Sequence, residues 1–156
     1  MKLVLAIFFV VTSLPAAIAA PTVAISTAPR PAPAAPLFAS IPAGGFPDRF
    51  PYGQCTWWAA RNRQVTWSGN AGDWLVNARA LGVETSALPS PGAIVVYHPG
   101  AGYSELGHVA IVIAFSSSSY SVSEMNYLGW GEVNTRTVPW PDPHVSGFIP
   151  LVGGQP

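Results

Sequence analysis

The chain contains a single cysteine, Cys55, and that scarcity removes two kinds of architecture. No intrachain disulfide can form, and no multi-cysteine zinc site can be assembled. Charge is scarce as well: charged residues make up 9% of the sequence, against roughly 25% in ordinary soluble domains. The sole lysine is Lys2, so once an N-terminal leader is removed six arginines face seven acids, a formal −1. That balance excludes binding driven mainly by nucleic-acid phosphates or by an anionic membrane surface. No apolar run of membrane-spanning length follows Leu14, and no internal repeat is present.

What the chain does have begins with a leader. Lys2 precedes an apolar stretch from Leu3 to Leu14, interrupted only by Thr12 and Ser13, and Ala17-Ile18-Ala19 supplies a small-x-small cleavage pattern. This reads as a signal peptide over residues 1–19, its apolar stretch well short of the roughly 20 residues a spanning helix needs. The protein is therefore expected to be secreted, to a periplasm, a cell wall or the extracellular space, without membrane insertion after cleavage. Residues 20–45 are rich in Ala and Pro, including Pro21, Pro29, Pro31, Pro33, Pro36 and Pro42, a composition that favours an extended linker. Residues 46–152 carry the pattern of one folded domain, expected to be monomeric, and 153–156 form a short tail.

Within that domain two helices precede the strands. The first is expected to start near Gln54, after the turn-forming Asp48 to Gly53, with Cys55, Trp58, Ala59 and Asn62 on one face. A cysteine in the first turn of a helix meets unpaired backbone N–H groups and the positive dipole end, a setting that favours the thiolate. The second helix is expected to take Asn70 as N-cap, to bury Trp74, Leu75, Ala78 and Leu81, and to end at Gly82. Strands follow at Ala93–Tyr97, His108–Phe115, Tyr120–Tyr127, Val133–Val138 and Gly147–Leu151. Helices first and a meandering antiparallel sheet afterwards define an α+β fold, the helices packed on the sheet.

Register turns this outline into chemistry. If Phe115 pairs with Ser119 across a three-residue turn, His108 falls opposite Asn126, and Glu124 becomes its diagonal neighbour on the same face. A helix packed across this sheet could then bring Cys55 to the imidazole. The thiolate would attack a carbonyl, His108 would take and return the proton, and Glu124 or Asn126 would hold the ring. The Cys55 backbone N–H, with the Gln54 side chain as a second donor, could form an oxyanion hole. Trp130, within Gly129-Trp130-Gly131, and Tyr127 are candidates for lining a substrate groove. His98, Glu105 and His108 match no recognised zinc spacing, so neither a metal nor a cofactor is expected.

Three ordered motifs, Tyr52-Gly53-Gln54-Cys55-Thr56-Trp57-Trp58, Gly107-His108-Val109-Ala110 and Ser123-Glu124-Met125-Asn126-Tyr127, resemble the CHAP family. These are the cysteine, histidine-dependent amidohydrolases/peptidases, a branch of the papain-like NlpC-type superfamily. The resemblance runs from about Phe46 to Leu151 and includes Gly69-Asn70-Ala71, Trp74 and Pro91-Gly92. It implies Cys55 as nucleophile, His108 as general base, Glu124 and Asn126 as the remaining members, and bacterial peptidoglycan as substrate. The bond implied is either the N-acetylmuramoyl-L-alanine amide or one within the stem peptide or cross-bridge. Ala93 departs from the family pattern, in which Asp often follows the Pro-Gly pair.

Two other readings use the same residues. A catalytically silent wall-binding or assembly module would keep the fold without turnover, and a thiol transamidase would pass the acyl group to an amine. An isolated cysteine on an apolar helix face is most often an inert core residue. Here the helix-start position and the matching histidine favour chemistry.

Overall fold

The computed structural model describes residues 41–100 and 102–151. The expected signal peptide, the linker up to residue 40 and the tail lie outside the described residues. Helix α1 spans Cys55–Asn62, a single 3-10 turn covers Ala71–Asp73, and helix α2 spans Trp74–Ala80. Five strands follow: β1 Ile94–Tyr97, β2 His108–Phe115, β3 Ser119–Met125, β4 Val133–Pro139 and β5 Val145–Ile149. They form one antiparallel sheet in the order β4-β3-β2-β1-β5. The class is α+β. The meander holds through β4, but β5 returns to the far edge to pair with β1. Among the described residues, no helix is long and apolar enough to cross a membrane.

The apolar runs of β1 and β2 are continuous because the sheet is covered on both faces. On one side Ile94, Val96, Val109, Ile111 and Ile149 pack against Ala59, Ala60, Trp74, Leu75 and Ala78 from the helices. On the other, Val95, Tyr97, Ala110, Val112, Tyr120, Val122 and Phe148 form a second cluster, against which Tyr103, Trp140 and Val145 pack. Alternate residues of each strand thus enter different cores.

Several details depart from the sequence reading. The buried face of α1 is Cys55, Thr56, Ala59 and Ala60. These small residues let the helix lie close to the sheet, while Trp58 sits half-buried and donates from Nε1 to Ser123 Oγ at 3.2 Å. Leu81 is exposed: α2 stops at Ala80, and bonds from Gly82 N to Arg79 O and Val83 N to Ala78 O fold the chain back beyond it. The β2–β3 turn is not the three-residue one expected. Phe115 pairs with Tyr120, and Ser116 N donates to Ser119 O at 2.8 Å. A bulge between Val112 and Ala114 then absorbs the extra residue, so Val112 pairs with Val122 and Ile111 with Ser123, the register expected for the site end of the hairpin.

Candidate active site

Cys55 is the first residue of α1, and its side chain is buried. Gln54 precedes it in extended conformation and offers no side-chain cap, so the first-turn N–H groups, that of Cys55 among them, lack an intrahelical acceptor. Gly53 has φ +89°, and a Cβ there would lie 2.3 Å from the Trp130 ring. Only glycine lets that indole roof the turn that presents the cysteine. Gly131 N donates to Gly53 O at 3.0 Å, fastening the two loops together.

His108 opens β2 opposite Tyr97, the last residue of β1. Gly107 before it has φ +76°, and a Cβ there would meet Gly72 at 2.6 Å, so the 3-10 turn can approach only a bare backbone. The imidazole is buried. Its Nε2 lies 3.0 Å from Glu124 Oε2, which leaves Nδ1 as the ring nitrogen for the Cys55 thiol. Tyr103 stacks on the ring at 5.3 Å between centroids and 14° between planes. Burial disfavours the charged ring, but hydrogen bonding and charge interaction with Cys55 and Glu124 outweigh it, and the His108 pKa is pushed up to about 9.

Glu124 is fully buried. Its Oε1 accepts from Arg136 Nε at 2.6 Å and from Asn134 Nδ2 at 3.0 Å; Arg136 Nη2 lies 3.4 Å from Oε2. Burial alone would raise its pKa, yet the bonds from His108 and Arg136 and their charges hold the carboxyl below its ordinary value. Asn126 does not reach the imidazole. It takes left-handed backbone at φ +63°, and its Nδ2 donates to Gln54 Oε1 at 3.0 Å. With its oxygen engaged, the Gln54 amide has its NH2 end left to donate.

A cleft of about 280 Å³ is walled by Gln54, Cys55, Tyr103, His108, Asn126 and Tyr127 among others. A second hollow of similar size on the far side of Cys55 reaches Phe50, Thr56 and Asn70, and the two share Gln54, Cys55, Ser104, Leu106 and Gly107. The groove therefore passes over the thiol. Tyr127 lines it; Trp130 does not, standing exposed over Gly53 with its ring edge-on to Tyr52 at 5.7 Å. His98 is exposed and bonded to Ser146, while Glu105 is exposed elsewhere. Among the described residues no group of three or more His, Cys, Asp or Glu could hold a metal ion.

Sequence reasoning missed Arg136, Asn134 and Tyr103. The first two belong to β4, where Asn134 pairs with Glu124 and Arg136 with Val122. The available signal was an arginine two residues from an asparagine on an otherwise β-branched strand, facing a strand that carries an acid.

The CHAP domain family model matches residues 45–126, just over half of the chain. The chain belongs to the CHAP family. Among curated relatives, a probable autolysin of Staphylococcus aureus is 33% identical over 97 residues, which cover 57% of this chain and 33% of the relative. An N-acetylmuramoyl-L-alanine amidase domain-containing protein of the same organism is 33% identical over 98 residues, 57% of this chain and 16% of the relative. This CHAP chain thus spans a third or less of the length of these relatives. A crystal structure of N-acetylmuramoyl-L-alanine amidase from Staphylococcus aureus aligns with a TM-score of 0.51 and 34% identity, over 56% of this chain and 27% of that one.

Proposed function

We propose that this CHAP protein is an exported peptidoglycan hydrolase that cleaves an amide bond through a cysteine acyl-enzyme. The observation that carries this reading is that Cys55, buried at a helix start, and His108 wall one cleft, with His108 Nε2 3.0 Å from the buried Glu124 carboxyl. The names of the matched autolysin and amidase support the substrate class. The 1–19 leader supports export.

The Cys55 thiolate attacks the scissile carbonyl carbon, forming a C–S bond and placing negative charge on the carbonyl oxygen. The Cys55 N–H and the Gln54 NH2 donate to that oxygen; loss of one such donor typically lowers the rate roughly 10²-fold or more. Protonated His108 gives its proton to the leaving nitrogen as the C–N bond breaks, and the amine departs. Neutral His108 then takes a proton from water, whose oxygen attacks the thioester, and the thiolate is regenerated with the acid product. Glu124 keeps the ring oriented and stabilises its charged form, as Asn126 does for the Gln54 amide.

Digestion of purified peptidoglycan by the mature protein and by Cys55→Ala, with mass spectrometry of released fragments and labelling of new N-termini, tests the proposal. New alanine N-termini with free glycan define an amidase; other stem or bridge termini define an endopeptidase. The absence of any Cys55-dependent fragment from several wall types, with the protein folded, would overturn it.

A further inference from the structure

We propose that Arg136 is a positioning residue that sets His108 along two routes at once, through Glu124 at the edge of the imidazole and through Tyr103 on its face. The inference rests on the Cys55–His108 chemistry proposed above. It starts from the geometry of one guanidinium. Arg136 Nε donates to Glu124 Oε1 at 2.6 Å, while Nη2 donates to the Tyr103 hydroxyl at 2.7 Å. The carboxylate so held presents Oε2 to His108 at 3.0 Å, and the phenol so held lays its ring nearly parallel to the imidazole.

A planar fork serves the two partners from two separate nitrogens in fixed directions, whereas the three donors of an ammonium radiate from one nitrogen on a flexible stem and are not aimed in advance. The fork is itself held, since the Tyr127 ring covers the guanidinium at 4.2 Å, and Tyr97 and Tyr103 flank it at 5.6 and 5.7 Å. A merely structural ion pair would need none of this aim, because apolar replacement of buried pairs is often neutral for stability. Electrostatics runs along the same chain. The Arg136 charge helps keep the buried Glu124 ionised, and ionised Glu124 favours the imidazolium. The titratable groups around His108 are Cys55 from α1, Tyr97 from β1, Tyr103 from the loop before β2, Glu124 from β3, Arg136 from β4, and Tyr127.

The test compares Arg136→Gln, Arg136→Lys and Tyr103→Phe with the wild type by two readouts. One is kcat and KM on soluble wall fragments across pH; the other is the pH profile of Cys55 alkylation by iodoacetamide, which needs no wall substrate. Arg136→Gln is expected to lower kcat at least about tenfold with little change in KM, to move the alkaline limit of activity to lower pH, and to diminish alkylation near about pH 6 relative to alkaline pH. Arg136→Lys should recover only part of kcat, and Tyr103→Phe should lose less than Arg136→Gln. Should the glutamine variant not fold, the other two decide.

Wild-type pH profiles in every variant, a loss confined to KM, or full recovery by lysine would overturn the positioning role. A wild-type protein that releases no wall fragments would defeat the hydrolase reading alone, because alkylation would still report on Arg136.

Discussion

Both oxygens of Glu124 are occupied, Oε1 by Arg136 and Asn134 and Oε2 by His108, so this carboxylate has no free site for a substrate proton and acts only on the imidazole. Glu124→Gln is therefore expected to lower kcat by about 10²-fold or more, yet by less than Cys55→Ala, which removes the attacking atom. Fragment-release kinetics measures both. His108 is held charged up to about 9, so activity that depends on the imidazolium should decline as pH rises through that value; a rate profile still rising there would contradict the assignment. The helix start at Cys55 and the nearness of His108 to Glu124 were legible in the sequence, because a turn before an apolar helix and one hairpin register state them. Asn126 turned out to hold Gln54 and not the ring, since a left-handed residue at the end of β3 leaves the strand's face. Arg136 was not legible, because its partnership depends on β4 lying against β3 and on Glu124 being sealed from water, which no local spacing states.

At the scale of elements, the bulge at Ile113 is what reconciles the β2–β3 turn with the site. The turn takes one residue more than expected, and without the bulge every side chain from Val112 to His108 would change face. Strand existence was readable from β-branched runs and turn residues, but bulge position was not. Helix α1 was misread by one step because a tryptophan is apolar by composition and too large for the narrow space under the helix, which alanine and threonine fill. Asn126 offers a test of backbone against side chain. Asn126→Gly keeps the left-handed conformation and loses only the bond to Gln54, whereas Asn126→Ala also meets the left-handed penalty of roughly 1–2 kcal/mol. Denaturant unfolding should rank alanine below glycine by about that amount, while both variants weaken turnover through a loosened Gln54. Gly53→Ala should displace the exposed Trp130 ring, into which its Cβ would project, and should destabilise the fold through the φ of +89° that an alanine adopts only with strain; circular dichroism and thermal melting would register the change.

For the whole molecule, the buried His108–Glu124–Arg136 chain ties stability to pH from both sides. His108 rises from 6.5 to about 9 on folding, so its contribution is complete below 6.5 and is lost as pH rises through about 9. Glu124 is shifted below 4.5, so its contribution is present above that value and is lost as pH falls through its lower folded value. Thermal melting should thus show a plateau through mildly acidic pH and a decline that starts before the unfolded tyrosines ionise near 10, the range in which the burial of Tyr97 and Tyr120 adds its own alkaline loss. His108→Ala should remove the earlier part of that decline. The aromatic residues also divide this protein optically. Trp67 and Trp74 are buried together in the helix-side core, edge to face at 5.7 Å, while Trp130 stands 67% exposed above Gly53, two residues from Cys55. Trp57, Trp58 and Trp140 are half-buried, so acrylamide should first quench the red edge of the emission, where Trp130 contributes, and spare the blue edge of the buried pair, which reports the integrity of the core.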